Sequence, residues 1–504
     1  MQNLKIYYII FLVKSIKICT NEEGDLFLNF LNNLILSFND FIWTYILIGM
    51  LIIIGLYFTF KTKFVQFKNI KDMFSLLSDG NSTDKNSVSS FQAFCISTAS
   101  RVGTGNLAGI ATAISIGGPG SIFWMWLIAL IGSASSFIES TLAQIYKKKD
   151  GNNYIGGPAY YMERGLKKRW MGVIFSILIT IAFGLVFNSV QANTITLSLN
   201  NSFGFSKTII GLIITILTLA VILGGVNRIA KISSFLVPIM AIAYIIVALF
   251  IVIKNITSLP EVFKMILENA FGVNQIIGGG LGTALMHGIK RGLFSNEAGM
   301  GSAPNAAATA DVSHPVKQGL IQTLGVFTDT LIICSCTAFI ILLSDIPLDG
   351  SIKGIELTQL ALSSQVGAWG GIFITICILL FAFSSIIGNY YYGETNIQFI
   401  TNKKIYINLY RISVGFMVFF GSLVSMDIVW NLADVFMGLM AIINLIAIVM
   451  LSKIAIKALE DYIYQKNNGI KDPIFFSSSI PELENHIIDC WISDEEDDED
   501  ELVA

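Results

Sequence analysis

An all-α polytopic fold that crosses a membrane about eleven times, as one extra N-terminal helix and a 5+5 inverted repeat with discontinuous first and sixth core helices, is what this sequence predicts. Three observations carry the prediction. Hydrophobic residues make up 54% of the 504 and charged residues only 13%, with a mean hydropathy of +0.69, whereas an ordinary globular chain is about a quarter charged. Apolar runs of roughly 20 residues recur, the length that crosses ~30 Å of hydrocarbon at ~1.5 Å per residue. Two of these runs are broken by glycines at corresponding places in two halves of the chain.

In chain order the spans lie near 41–60, 91–117, 120–146, 171–198, 208–225, 233–253, 277–312, 319–344, 368–393, 411–426 and 429–452. Residues 1–40 form an N-terminal extension and 41–455 the membrane domain. Within that domain 41–60 is the extra helix, 91–254 the first repeat and 277–452 the second; 456–504 is a tail. The apolar run in "MQNLKIYYIIFLVKSIKICT" is too short to span, and reads either as a weak signal-like segment or as an upstream extension outside the working fold. "SDEEDDEDE" near the C-terminus is a block of like charge that must be solvated, and it reads as disordered.

Lysine and arginine fix the orientation, because positive loops stay cytoplasmic. With 61–90 inside, the inside segments hold 22 basic residues and the outside segments 7. This puts residues 1–40 outside and the C-terminus in the cytoplasm, in an inner, cytoplasmic cell membrane. Arg101, Lys290 and Arg291 fall within spans.

Several chemistries are disfavoured. The six cysteines, Cys19, Cys95, Cys334, Cys336, Cys377 and Cys490, form no framework, and Cys334 and Cys336 lack the C-x-x-C spacing, so they read as packing residues. The three histidines, His287, His314 and His486, are too far apart for a ligand motif. Gly103, Gly105 and Ala108 satisfy the dinucleotide pattern G-x-G-x-x-[GA], but it means nucleotide binding only between a strand and a helix, and here apolar spans flank it. Nothing points to nucleic acid or an organic cofactor.

The stretch "RVGTGNLAG" (101–109) is a helix-weakening run inside a span, and "GLFSNEAGMGSAPNAAATA" (292–310) is another. Small residues also serve close helix packing. Two interruptions at membrane depth ask for more, because irregular backbone there is tolerated only where it is buried in protein or lines a cavity. Without the 41–60 helix, ten spans remain, and the broken ones are the first and the sixth. Five spans per half is odd, so the second half starts on the opposite side of the membrane. Broken spans at corresponding positions of inverted halves mark the central site of a transporter. The amides freed at "GTGN" suit an anion and the carbonyls a cation.

"ASRVGTGNLAGIATAI", "GGPAYYMERGLKKRW", "KRGLFSNEAGMGSAPNAAATA" followed by "HPVKQGL", and "FAFSSIIGNYYYGE" closely resemble the alanine or glycine:cation symporters, the sodium:alanine symporter family, from about residue 41 to 455. The resemblance implies a leucine-transporter-type fold and sodium-coupled uptake of a small neutral amino acid such as alanine, glycine or serine. It implies that Gly103, Thr104, Gly105 and Asn106 form the first unwound segment. The amides of Thr104 and Gly105 would take the substrate carboxylate, and the Asn106 side-chain oxygen would face a sodium ion. Phe294, Ser295, Gly299 and Gly301 match the sixth-span pattern; Phe294 would gate the pocket, while Ser295 and carbonyls near Asn296 would take the ammonium. A second sodium would lie between the Ala99 and Val102 carbonyls and the Ser384 and Ser385 hydroxyls. Glu297 and "GNYYYGETN" depart from the pattern; the first leaves proton participation open, and the second makes the inner part of the eighth core helix less transferable.

Other ionisable groups within spans are Arg101, Glu139, His287, Lys290, Arg291, Glu297 and Asp329. Each is a functional candidate because burying an isolated charge is expensive, with internal pairing, for instance of Lys290 or Arg291 with Glu297, as the alternative; His287 reads as a packing residue. Asn188 and Gln191 lie one turn apart on the third core span, and Gln191 is read as a pocket residue, a helix–helix hydrogen bond being the other option. A passive channel would call for a repeated filter or a charged ring, and an enzyme for an activated nucleophile; the sequence displays neither. Proton coupling stays open beside sodium coupling.

Overall fold

A computed structural model describes residues 35–78, 88–151, 153–272 and 281–491. Most of the N-terminal extension and the "SDEEDDEDE" segment lie outside the described residues. Helix α1 (Ile35–Lys61) leads through the short amphipathic α2 (Ile70–Ser78) to α3 (Ser90–Arg101). A reciprocal cap starts α3: Ser89 Oγ accepts from the Gln92 amide at 3.2 Å and Gln92 Oε1 accepts from the Ser89 amide at 3.0 Å, satisfying two otherwise free donors. The helix ends at Val102, whose φ and ψ of −79° and 92° are extended. It resumes as α4 (Gly105–Gly117).

Helix α5 (Ser121–Ile145) is followed by a hairpin of β1 (Lys148–Asp150) and β2 (Asn153–Ile155), with Lys148 opposite Ile155. Next come α6 (Pro158–Arg164), α7 (Arg169–Phe203), α8 (Lys207–Ile222), α9 (Gly225–Lys254) and α10 (Leu259–Ala270). The second broken element is α11 (Leu281–Asn296) and the single-turn α12 (Ala303–Ala307). Then follow α13 (Pro315–Leu342), α14 (Gly354–Val366), α15 (Trp369–Ile400), α16 (Lys404–Leu423) and α17 (Met426–Asn467). Among the described residues eight helices are long and apolar enough to cross a membrane, with α4 and α8 apolar but shorter.

The broken helices sit at the centre. Residues 93–115 and 288–310 are almost wholly buried, while α8 and α9 turn Ile213, Ile216, Ile239, Ile242 and Ile246 outward. An apolar outside around a polar inside is what a lipid solvent selects. Among the described residues four π-helical segments, Ile42–Leu47, Gly105–Gly109, Thr180–Phe187 and Phe327–Cys334, lie in α1, α4, α7 and α13. Such turns insert a residue and re-aim side chains, often at functional sites.

The structure departs from the sequence reading in four places. Lys148–Asp150 and Asn153–Ile155 pair as two antiparallel strands among described elements that are otherwise helical. The connections after 254 and 344 contain α10 and α14, both too short to span. Residues 226–232, read as a loop, are the first turns of α9, so Arg228 and Lys231 ride on a helix end. Finally, the described part of the tail, up to Trp491, is ordered against the bundle. Helix α17 runs to Asn467, and the following residues strap back across the bundle end. The Phe475 amide donates to Ser313 O at 2.9 Å, Trp491 Nε1 donates to Gln144 O at 2.9 Å, and Arg164 pairs with Asp489 at 2.8 Å.

Candidate functional site

The chain between α3 and α4 frees backbone groups that the helix would have paired, and their partners define the site. The amide of Thr104 donates to Gln191 Oε1 at 2.9 Å, and Thr104 Oγ1 donates to the same oxygen at 2.7 Å. The amide of Gly103 donates to Asn106 Oδ1 at 2.9 Å. Gly103 has to be glycine: a Cβ there would lie 2.3 Å from Ser385 Oγ and 2.8 Å from Gln191 Oε1. At Gly105 a Cβ would lie 2.9 Å from the Phe294 ring, so this glycine admits the aromatic lid.

Asp329, on the π-turn of α13, reaches the same spot. It is fully buried and accepts from Asn106 Nδ2 at 2.7 Å, Ser295 Oγ at 2.7 Å and Thr330 Oγ1 at 2.9 Å. Hydrogen bonds to a charged group contribute about 1.5–3 kcal/mol each. Three of them hold a carboxylate in place but do not neutralise it, and among the described residues no lysine, arginine or histidine forms an ion pair with it. A small cation drawn between the breaks would complete the cluster.

A second convergence of oxygens lies below the first break. Ser385 Oγ is 2.8 Å from Ala99 O, 3.3 Å from Val102 O and 3.0 Å from Phe381 O. One hydroxyl proton serves one carbonyl, and Ala99 and Val102 belong to the negative end of α3. Oxygen atoms converging in excess of donors suit a hard cation.

The second break is pinned by Glu139 of α5. Its Oε1 accepts from the Gly299 amide and Oε2 from the Gly301 amide, both at 3.1 Å, and Asn444 Nδ2 donates to Oε2 at 2.7 Å and to Gly299 O at 3.0 Å. The Tyr161 hydroxyl donates to Asn444 Oδ1. Gly299 and Gly301 have φ of 80° and 85°, the left-handed region open to glycine. Glu297, at φ 58°, turns to meet the hydroxyls of Ser100 at 2.8 Å and Ser302 at 2.6 Å. Above the breaks the Phe294 ring packs between Phe187 and Trp430 in tilted contacts, with centroids 4.6 and 4.7 Å away.

Gly103, Thr104, Gly105, Asn106, Gln191, Phe294 and Ser295 therefore come together as expected, and Ala99, Val102 and Ser385 form the adjoining cluster. Other placements differ. Asn106 turns its oxygen to the Gly103 amide and its nitrogen to Asp329, because the carboxylate claims the donor. Ser384 Oγ donates back to Phe381 O at 2.8 Å and does not reach α3. The Gly299 amide is taken by Glu139. Asn296 Oδ1 accepts from the Ala298 amide at 3.0 Å, leaving its Nδ2 unpartnered. Asn188 Nδ2 bonds back to Gly184 O at 2.9 Å, so Gln191 alone of that pair reaches the break. Lys290 and Arg291 pair with Asp434 of α17, at 3.5 and 2.9 Å, and not with Glu297. They lie on α11 before the break, whereas Glu297 follows it and turns the other way. Asp329 and Glu139 were visible only as buried charges; Asn444 carried no signal in the sequence, and Tyr161 only its place in the motif "GGPAYYMERGLKKRW".

Residues 28–477 match the model of a family described as the sodium:alanine symporter family. The chain is 58% identical over 463 residues to the probable sodium/glutamine symporter GlnT of Bacillus subtilis (strain 168), covering 91% of this chain and 96% of that one. It is 36% identical over 453 residues to the sodium/alanine symporter AgcS of Methanococcus maripaludis, covering 87% and 99%. Among solved structures it resembles MhsT in complex with L-phenylalanine, with a TM-score of 0.53 and 15% identity over 73% of this chain and 97% of that one. That last likeness is one of fold.

Removing Glu139 leaves two amides and the Asn444 carboxamide without their acceptor. Glu139→Ala is expected to lose about 1–3 kcal/mol of stability for each donor left unsatisfied, and Glu139→Gln, which keeps one acceptor oxygen, distinctly less. Thermal unfolding of the purified protein in detergent checks the order.

Proposed function

Because this chain belongs to the sodium:alanine symporter family, we propose that it couples sodium entry to uptake of a small neutral amino acid by alternating access. As a member of that family it is a multi-pass membrane transporter and not an enzyme. In the proposed architecture α1 is the extra helix. The first half comprises α3–α4, α5, α7, α8 and α9, and the second comprises α11–α12, α13, α15, α16 and α17, each broken helix counting as one span. The excess of basic residues on one side supports an inner membrane with the C-terminus in the cytoplasm.

The observation that carries the reading is the Asp329 carboxylate held between the two breaks by Asn106 and Ser295. One sodium ion binds there; as it arrives, the Asn106 carboxamide and the Ser295 hydroxyl turn their oxygens toward it. A second binds among the Ala99 and Val102 carbonyls and Ser385 Oγ, with Ser384 outside the site. The substrate carboxylate replaces Gln191 Oε1 on the Thr104 amide and hydroxyl, and its ammonium meets Ser295 and the carbonyls near Asn296. Phe294 closes over it. The contact between this ring and Gly105 favours a short side chain, which points to alanine, with glycine and serine next. The similarity to a relative named for glutamine makes that amino acid the competitor to test.

Purified protein in liposomes, given an inward sodium gradient, is expected to accumulate labelled L-alanine above its external concentration, and to stop when potassium replaces sodium. Equilibration without accumulation would indicate a passive pathway, and accumulation driven by a pH gradient alone a proton symporter; either overturns the reading. Running L-glutamine, glycine and L-serine in parallel ranks the substrates. In the same assay Ser385→Ala is expected to raise the half-saturating sodium concentration about 5- to 150-fold, the effect of losing ~1–3 kcal/mol of ion binding, while Ser384→Ala changes it less than about twofold.

A further inference from the structure

Where α1 ends, the chain turns in a strained way and gathers charge. Lys63 and Phe64 have φ of 54° and 63°, a left-handed conformation that residues other than glycine avoid. Such strain persists where the surroundings impose it, commonly at ligand sites. Here the Phe64 amide donates to Thr59 O at 2.8 Å, and the buried Gln66 donates through Nε2 to Thr59 Oγ1 at 2.9 Å, which fixes the single helical turn Val65–Lys68 beside the end of α1. Between this turn and α17 lies a cavity of about 250 Å³, lined by Lys61, Lys63, Lys68, Leu459, Glu460 and Ile463 among others.

Other basic residues at this end of the bundle are neutralised: Lys453 and Lys457 by Glu482, Lys466 by Asp72 and Lys317 by Asp472. Among the described residues Lys61, Lys63 and Lys68 form no ion pair, and Lys61 leans on the Tyr57 ring, 5.9 Å from its centroid. Three lysines against the one Glu460 carboxylate leave the cavity positive. On the same stretch of chain Tyr57, Phe60 and Phe64 are exposed, and the Phe64 ring meets Phe60 edge-on at 5.5 Å. Unpaired cations next to bared rings match the two halves of a phospholipid, a charged head and apolar tails. A free phosphate ion would use the lysines and leave the rings without a role.

We propose that this cavity binds the headgroup of an anionic glycerophospholipid of the phosphatidylglycerol type, drawn from the cytoplasmic leaflet. The three lysines take the phosphate, the acyl chains lie along Tyr57, Phe60 and Phe64, and a headgroup hydroxyl donates to Glu460. A serine headgroup would set its carboxylate against Glu460, and an ethanolamine headgroup its ammonium against three lysines. Occupation reaches the centre of the molecule through Phe67, whose ring stacks on Phe327 with centroids 6.3 Å apart and planes 23° apart. Phe327 opens the π-turn that carries Asp329. A lipid that holds Val65–Lys68 thereby steadies the carboxylate that draws sodium. The inference rests on the symport reading and the orientation proposed above, which place this end at the cytoplasmic leaflet and give Asp329 its ion.

Native mass spectrometry of the full chain in detergent, titrated with dioleoylphosphatidylglycerol, tests the site without any need for transport. One lipid is expected to stay bound, with the serine and ethanolamine lipids at least about fivefold weaker. Lys63→Gln and Lys68→Gln should each weaken retention about fivefold and the double variant about 25-fold, whereas Lys404→Gln, an exposed lysine on the same side, changes it less than about twofold. Equal retention of the ethanolamine lipid, or variants that hold the lipid like wild type, overturns the proposal. Displacement by glycerol 3-phosphate as effective as by the lipid would make this a soluble phosphate site and overturn the lipid assignment. In phosphatidylcholine vesicles, adding phosphatidylglycerol is expected to lower the half-saturating sodium concentration for alanine uptake at least about fivefold, in wild type and not in the double variant. An effect equal in both would come from sodium gathered at the charged surface and overturns the coupling to Asp329. Lipid bound as expected with no sodium-driven uptake in either vesicle supports the lipid site and overturns the symport reading instead.

Discussion

Backbone groups freed inside hydrocarbon must find partners within the protein, and the centre of this molecule is organised around that constraint. Interrupting two helices exposes amides and carbonyls whose loss would cost several kcal/mol apiece. Asn106 and Asn296 meet the Gly103 and Ala298 amides locally, and side chains from other helices meet their neighbours: Glu139 from α5, Gln191 from α7, Ser385 from α15 and Asn444 from α17. The breaks therefore act as fastenings as well as binding surfaces. A ligand that replaces one of these partners gains the interaction and at the same time releases a helix.

Gln191 is the partner most suited to such exchange. Its oxygen accepts from both donors of Thr104, where the proposed substrate carboxylate would sit, so these donors are satisfied within the protein itself. Displacing a neutral amide oxygen by a carboxylate strengthens both bonds, since charge-assisted hydrogen bonds are roughly twice as strong as neutral ones. Glu139 is the opposite case. Held by two amides and a carboxamide, it is a fixed acceptor that keeps the second break in shape.

The spans were legible in the sequence because lipid demands long apolar runs, and the breaks because glycine in such runs has few other uses. The central cluster was legible to the extent that it lies within the motifs. What escaped are partners distant in sequence: nothing around Asn444 or Tyr161 marks them as neighbours of Gly299. The Asn106 carboxamide was expected with its oxygen toward an ion, and it turns the other way because Asp329, more than 200 residues later, needs a donor. The π-turn that aims Asp329 leaves no pattern in hydropathy, and Ser384 and Ser385 look alike until the helix phase is known. The segment up to Trp491 reads as polar tail, yet one tryptophan and a few ion pairs suffice to lay it across the bundle end.

The account stands most directly on Asp329 as the charge that draws sodium between the two breaks. The decisive measurement is binding of labelled substrate to wild type and Asp329→Asn across a sodium titration, the asparagine keeping the shape of the carboxylate and one of its oxygens. The account predicts that the half-saturating sodium concentration rises at least about tenfold, with substrate affinity recovering as sodium approaches saturation, as linkage between the two ligands requires. A sodium dependence unchanged in the variant would contradict it.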